Sequence, residues 1–204
     1  AYENRYTWDP VFSGYRGRCL WVKDDRVVEG RFELGSDLKA HIDGIEDELI
    51  SKAFSSQLWE VAIHRVRRSF EKTHGDNTFT AGDNDDVGLE VIVGGKNAGD
   101  RYRIKNDVVT MVHRHIHGTV VTIFTKSTTN TGYGYLSHTY SSQYHDPKTN
   151  EPTSGMSQFT DTFVPLADDG LWVLSERLVE KDAFAEMAAE RQLFQFVDLK
   201  LLQN

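Results

Sequence analysis

Only one stretch of this chain carries a helical period, and that constrains the fold more than any other feature. Apolar residues fall at Ile50, Phe54, Leu58, Ala62 and Val66, four apart, with Ala53, Val61 and Ile63 beside the row. Such a row is the face that a helix buries. A single helix is expected from Ile45 to Phe70. Asp43 and Glu46 read as a capping box at its start, and Arg65, Arg67, Arg68 and Lys72 sit where the carbonyl end prefers cations, with Gly75 as the stop.

The rest of the chain alternates or punctuates like strands. Gly17 to Asp43 predicts three short strands. After Asn77 the candidates are Leu89 to Val93, Tyr102 to Ile104, Val108 to Thr125, Tyr133 to Tyr144, Ser157 to Val164, Leu171 to Val179 and Leu193 to Leu201. Val108 to Thr125 is about three times a typical strand length, so a turn near Gly118 should divide it. A helix and a sheet of this kind each need the other to cover an apolar face. The expected class is α+β, mainly antiparallel, with a large curved sheet, a half-barrel like the lipoprotein carriers, wrapped around one principal helix. A calycin-like closed barrel is the runner-up. No linker, repeat or composition shift divides residues 1–204, so a single domain is expected.

The 204 residues include 23 basic and 31 acidic side chains, a formal charge of −8, which disfavours nucleic acid as a partner. Cys19 is the only cysteine, so no internal disulfide or multi-cysteine metal site can form, and it reads as a small buried residue. No apolar run approaches the 18 residues of a spanning helix. The chain opens on Ala1 rather than Met, read as the trace of an upstream segment that could have carried an address. The cytoplasm or a plastid stroma is the compartment expected.

Residues 1–9, Ala-Tyr-Glu-Asn-Arg-Tyr-Thr-Trp-Asp, followed by Phe12, Gly14 and Tyr15, resemble the opening of the domain-of-unknown-function 3386 family of cyanobacteria and chloroplast-bearing organisms. Gln57-Leu58, His64-Arg65, Ser69-Phe70-Glu71, His74-Gly75, Thr131-Gly132-Tyr133-Gly134-Tyr135 and Phe196 to Leu201 extend the resemblance over nearly the whole chain. It implies one domain, often in photosynthetic organisms, and no activity, substrate or cofactor.

Three constellations could carry chemistry. His113, His115 and His117 share one strand parity, and with His138, or with His145 and Asp146, could offer nitrogen and oxygen donors suited to zinc or copper. Successive histidines start roughly 6.6 Å apart, so two of the three is the realistic count on one ion. Ordinary solvated histidines are the plain alternative. His64, among arginines and with Glu60, Arg68 and Glu71 at helical spacing, is a candidate catalytic base. Tyr133, Tyr135, Tyr140, Tyr144 and Trp21 are candidates to line a ligand cavity rimmed by hydroxyls, although core packing is the commonest role of such aromatics. The stretch Val93 to Asp100 lacks phosphate-loop spacing, and no nucleophile elbow is present. The function expected is a non-enzymatic, soluble binding protein that holds a lipid, a pigment or a protein partner on a concave sheet, linked through the resemblance to photosynthetic metabolism. The alternatives are a histidine-based zinc or copper protein, and an enzyme of unknown reaction using His64 or the His113 to His117 cluster.

Overall fold

A computed structural model describes residues 1–167 and 170–202. In chain order the elements are β1 (Gly14–Lys23), β2 (Arg26–Gly35), β3 (Ala40–Asp43), α1 (Glu48–Ala62), α2 (Phe70–His74), β4 (Asn77–Asn84), β5 (Leu89–Gly95), β6 (Arg101–Lys105), β7 (Val108–Ile116), β8 (Thr119–Asn130), β9 (Tyr135–His145), β10 (Ser157–Ala167), β11 (Leu171–Lys181) and β12 (Glu190–Leu201). The strands follow the hydrogen-bonded order β3-β2-β1-β12-β11-β10-β9-β8-β7-β6-β5-β4. This is the expected α+β class with a large, mainly antiparallel sheet. The order is linear, with β3 and β4 as edges, so the closed-barrel runner-up is not the fold. Among the described residues no helix is long and apolar enough to cross a membrane.

The chain forms two compact units, each assembled from three segments. The helical unit contains Thr7–Arg67, Thr160–Val179 and Arg191–Asn204; the sheet unit contains Ala1–Tyr6, Arg68–Phe159 and Glu180–Glu190.

In the helical unit, Ile50, Phe54, Leu58, Val61 and Ala62 are the buried residues of α1. Phe54 meets Phe194 and Phe196 edge-to-face, at centroid distances of 5.4 and 6.0 Å. Phe196 in turn contacts Phe32, which contacts Tyr15. The register explains the cluster: Cys19 lies opposite Phe196 and Trp21 opposite Phe194, so these side chains project from one face of the sheet onto the helix. Each such burial contributes about 1.5–3 kcal/mol.

The ends of α1 differ from expectation. Its cap is Asp47, not Asp43: the Asp47 carboxylate accepts from the Leu49 and Ile50 amides. The helix stops at Ala62, and its last turn carries no basic residue. The chain then turns, His64 N–H donating to Val61 and Arg65 N–H to Ala62, and Trp8 bridges Val66 by donating its amide to the Arg65 carbonyl. A second short helix follows, capped by Ser69. Val66, the last residue of the expected row, therefore lies outside the helix and is only half-buried.

In the sheet unit, β7 and β8 form a hairpin, the division expected near Gly118. His117 and Gly118 have φ of 50° and 80°, the positive pair that a two-residue turn matched to strand twist requires. One strand, β4, was not among the individual candidates: Asn-Thr-Phe-Thr-Ala-Gly-Asp-Asn has little alternation, and its pairing with β5 supplies what local pattern lacks. The N-terminal segment is seated beside the start of β9, where Tyr6 N–H donates to Tyr135 and Tyr135 N–H to Asn4. Gly134 permits this approach. Its φ is 129°, and a Cβ there would stand 2.7 Å from the Asn4 carbonyl oxygen.

Candidate functional site

The five aromatic candidates differ in their surroundings. Tyr135 is buried and its hydroxyl accepts the Val109 amide; Tyr133, in the preceding turn, is 69% exposed. Tyr140 stacks on Phe159 at 4.8 Å and 12°, and Tyr144 is largely exposed. These four belong to the sheet unit, whereas Trp21 belongs to the helical unit.

Trp21 forms part of a surface depression of about 730 Å³ between the β1–β2 turn and the start of α1, together with Lys23, Asp24, Asp25, Arg26, Asp47, Leu49, Ile50, Ala53 and Gln192. The indole N–H donates to Gln192 Oε1 at 2.9 Å, which fixes the ring, and the Arg26 guanidinium lies 5.6 Å from its centroid. Arg26 also donates to Asp47 at 3.0 Å. That bond, with the amides of Ile50 and Leu49, holds the Asp47 carboxyl below the usual carboxylate range. Thus one aspartate caps the helix and anchors the cation beside the indole. Leu49, 79% exposed, presents an apolar side chain at the rim, while Ile50 is buried beneath.

The histidines separate as the strands dictate. His113 and His115 share one face of β7, with ring centroids 5.8 Å apart and planes at 85°. His117 leaves that face because it occupies the hairpin turn. His138 lies far along β9: His113 pairs with Thr122 and Thr122 with Gln143, five residues and hence roughly 17 Å of strand from His138. Among the described residues no group of three His, Cys, Asp or Glu side chains is placed to hold a metal ion. Asp100, unnoticed in the sequence, organises the pair. It is buried, accepts the His115 amide at 3.0 Å and Arg114 Nε at 3.2 Å, and lies 3.5 Å from His115 Nδ1. Burial, with the charges of Arg101 and His115, holds the His113 pKa below its ordinary value.

His64 is exposed in the turn after α1. The Glu60 carboxylate accepts from Arg177 at 3.1 Å. Arg68 and Glu71 lie beyond the end of the helix, so helical spacing no longer brings them to His64. Arg177 is instead the centre of a second unanticipated cluster. It is 1% exposed, donates twice to Asp161 at 2.8 and 3.0 Å, and reaches Gln57 at 2.9 Å. The available signal was a charge in the apolar run Leu-Trp-Val-Leu-Ser-Glu-Arg-Leu-Val. A guanidinium surrounded by carboxylate and amide oxygens clamps α1 to β10 and β11. Its donors are spent on protein partners, so it offers no open anion site. Cys19 is fully buried, and burial pushes its thiol up to about 11.

The signature strings have structural roles. Tyr2 packs edge-on against Phe70 and His74, its hydroxyl bonds to Arg68 and Thr73, and Arg5 lies 4.1 Å over its ring. In Thr131 to Tyr135, the Thr131 hydroxyl donates to Gly134 and accepts the Tyr133 amide, shaping the turn beside the N-terminal segment. Burial and the charges of Arg114 and Arg5 keep the His74 pKa below its ordinary value. The family model described as Protein of unknown function (DUF3386) matches residues 1–202. No curated protein and no solved structure matches the chain.

Proposed function

Because the chain belongs to this family of unknown function (DUF3386), which brings no reaction with it, we propose from the geometry that it is a non-enzymatic binding protein that holds the apolar part of a small molecule against Trp21. The observation that carries the reading is the depression at the Trp21 ring: an indole fixed by Gln192, an apolar side formed by Ile50, Ala53 and exposed Leu49, and a charged rim of Lys23, Asp24, Asp25 and Arg26. Its volume is in the range of small-molecule sites, and an apolar floor with a polar rim suits an amphipathic ligand. Lipids and pigments are the classes to test first, the latter in keeping with the photosynthetic setting suggested by the family resemblance.

Native mass spectrometry of tag-free protein should reveal a stoichiometric organic adduct that survives metal chelation. Titration with a fatty acid or a tetrapyrrole should give saturable quenching of tryptophan fluorescence. Trp21→Ala, and Leu49→Glu at an exposed position where folding is undisturbed, should each weaken binding at least tenfold. About 1.4 kcal/mol of lost apolar contact is enough for that change. A bare polypeptide with no saturable titration, or binding unchanged in Leu49→Glu and Trp21→Ala, would refute the proposal.

A further inference from the structure

The sheet unit contains a feature that the Trp21 depression does not use. His113 and His115 project from the same face of β7, and on each ring Nδ1 already has a neighbour. His113 Nδ1 lies 2.9 Å from the Thr122 hydroxyl, and His115 Nδ1 lies 3.5 Å from Asp100 Oδ1. With the His113 Nδ1 proton directed to Thr122, and with the nearby Asp100 carboxylate favouring a proton on His115 Nδ1, each Nε2 retains a lone pair. A carboxylate behind one imidazole and a hydroxyl behind the other are the outer partners by which metal-binding histidines are oriented.

We propose that His113 and His115 form a two-imidazole site for a divalent copper or zinc ion, with Asp100 as the positioning residue. The spacing suits a shared ion. At a metal–nitrogen distance of about 2.0–2.1 Å, an ion lies about 3.2 Å from the centroid of each ring it ligates, so two ligating rings can be separated by up to about 6.4 Å. The observed 5.8 Å corresponds to a nitrogen–metal–nitrogen angle of about 130°, between tetrahedral and linear. The His115 ring is also confined. Its Cε1 would stand 3.3 Å from a Cβ at Gly99, whose φ of 98° keeps the backbone close without one. The His115 side chain is about half exposed, so water can complete the coordination shell.

The same face also carries Arg101 and a further imidazole. Arg101 lies opposite His113, with Glu90 3.9 Å from its guanidinium; it disfavours a cation but is exposed and open to screening. His145 is two strands away in the row of His115, across Val120, and its Nδ1 is buried without a hydrogen-bond partner. Two imidazoles with open positions select the copper and zinc end of the first-row series, not calcium or magnesium.

The test is isothermal titration of tag-free, chelator-treated full-length protein with copper chloride and, separately, zinc chloride. One ion per chain is expected. His113→Gln and His115→Gln should each weaken binding at least tenfold, whereas His117→Gln and His138→Gln should leave it unchanged. Asp100→Asn should weaken binding on the order of tenfold, the usual consequence of losing a partner behind a ligating histidine. Because Asp100 is buried and its variant could fail to fold, electron paramagnetic resonance of the copper complex supplies an independent reading. Hyperfine coupling to two imidazole nitrogens is expected, falling to one in His115→Gln. No saturable binding, or binding unaltered in the His113→Gln/His115→Gln double variant, would overturn the assignment.

Discussion

The helical unit and the sheet unit are both built from strands of alternating side chains, yet the apolar residues of the two meet different surroundings. Around α1, Phe54, Phe194, Phe196, Leu34, Leu58 and Val173 are at most 1% exposed. On β4, β5 and β8, Phe79, Leu89, Ile92 and Phe124 are each about 40% exposed. A helix supplies a continuous apolar row against which a sheet face can close, and α2, five residues long with no buried residue, cannot do the same. Pairing alone completes the backbone hydrogen bonds of a strand, while burial of its side chains needs a second layer. Stability should therefore be concentrated around α1, and the sheet unit should tolerate change and retain accessible side chains.

The largest effect should come from the clamp. Arg177→Met removes the guanidinium and leaves Asp161, whose side chain is 4% exposed, as an uncompensated buried carboxylate. A loss of about 3–5 kcal/mol in urea unfolding is expected, and Arg177→Met/Asp161→Leu should recover much of it. A double variant as unstable as the single would mean that the pair contributes more than charge balance. Next, Phe54→Ala should cost about 3–5 kcal/mol by opening a cavity among Phe194 and Phe196, whereas Phe124→Ala should remain within about 0.5 kcal/mol. Comparable losses at both positions would break the contrast between the units.

The smallest effect concerns acid. His74 and His113, both in the sheet unit, have pKa values below the ordinary histidine value. The unfolded chain then binds more protons than the folded one, so stability is full above the unfolded value of about 6.5 and declines as pH falls toward the folded values. The unfolding midpoint should drop as pH falls below about 6.5, and the slope should lessen in His74→Asn/His113→Gln. The lowered carboxyls of Asp47 and Asp146 add a separate loss, setting in as pH falls below the ordinary carboxylate range. A slope unchanged by the histidine replacements would assign the acid sensitivity elsewhere.

Local pattern was enough where one element's own side chains decide the outcome. The four-residue row announced α1, alternation announced most strands, and the length of Val108 to Thr125 required the turn at His117 and Gly118. The helix ends were less legible, because Asp43 and Asp47 are both competent caps and only the position of β3 settles which is used. The parity of His113 and His115 was readable from β7, since side chains two apart on a strand share a face. The departure of His117 depended on the exact turn, and the distance to His138 depended on register across β8.

By itself the amino-acid sequence determined the class of fold, the one principal helix, the burial of Cys19 and the paired imidazoles of one strand. Periodicity and side-chain chemistry act within a few residues of their source. Tertiary structure alone decided that Asp100 backs His115, that Asp161, Gln57 and Glu60 converge on Arg177, and that Gln192 fixes Trp21. Those partners are 15, 16, 120, 117 and 171 residues apart in the chain. No local signal spans such separations, because strand register and the packing of α1 on its sheet bring them together only when the whole core forms.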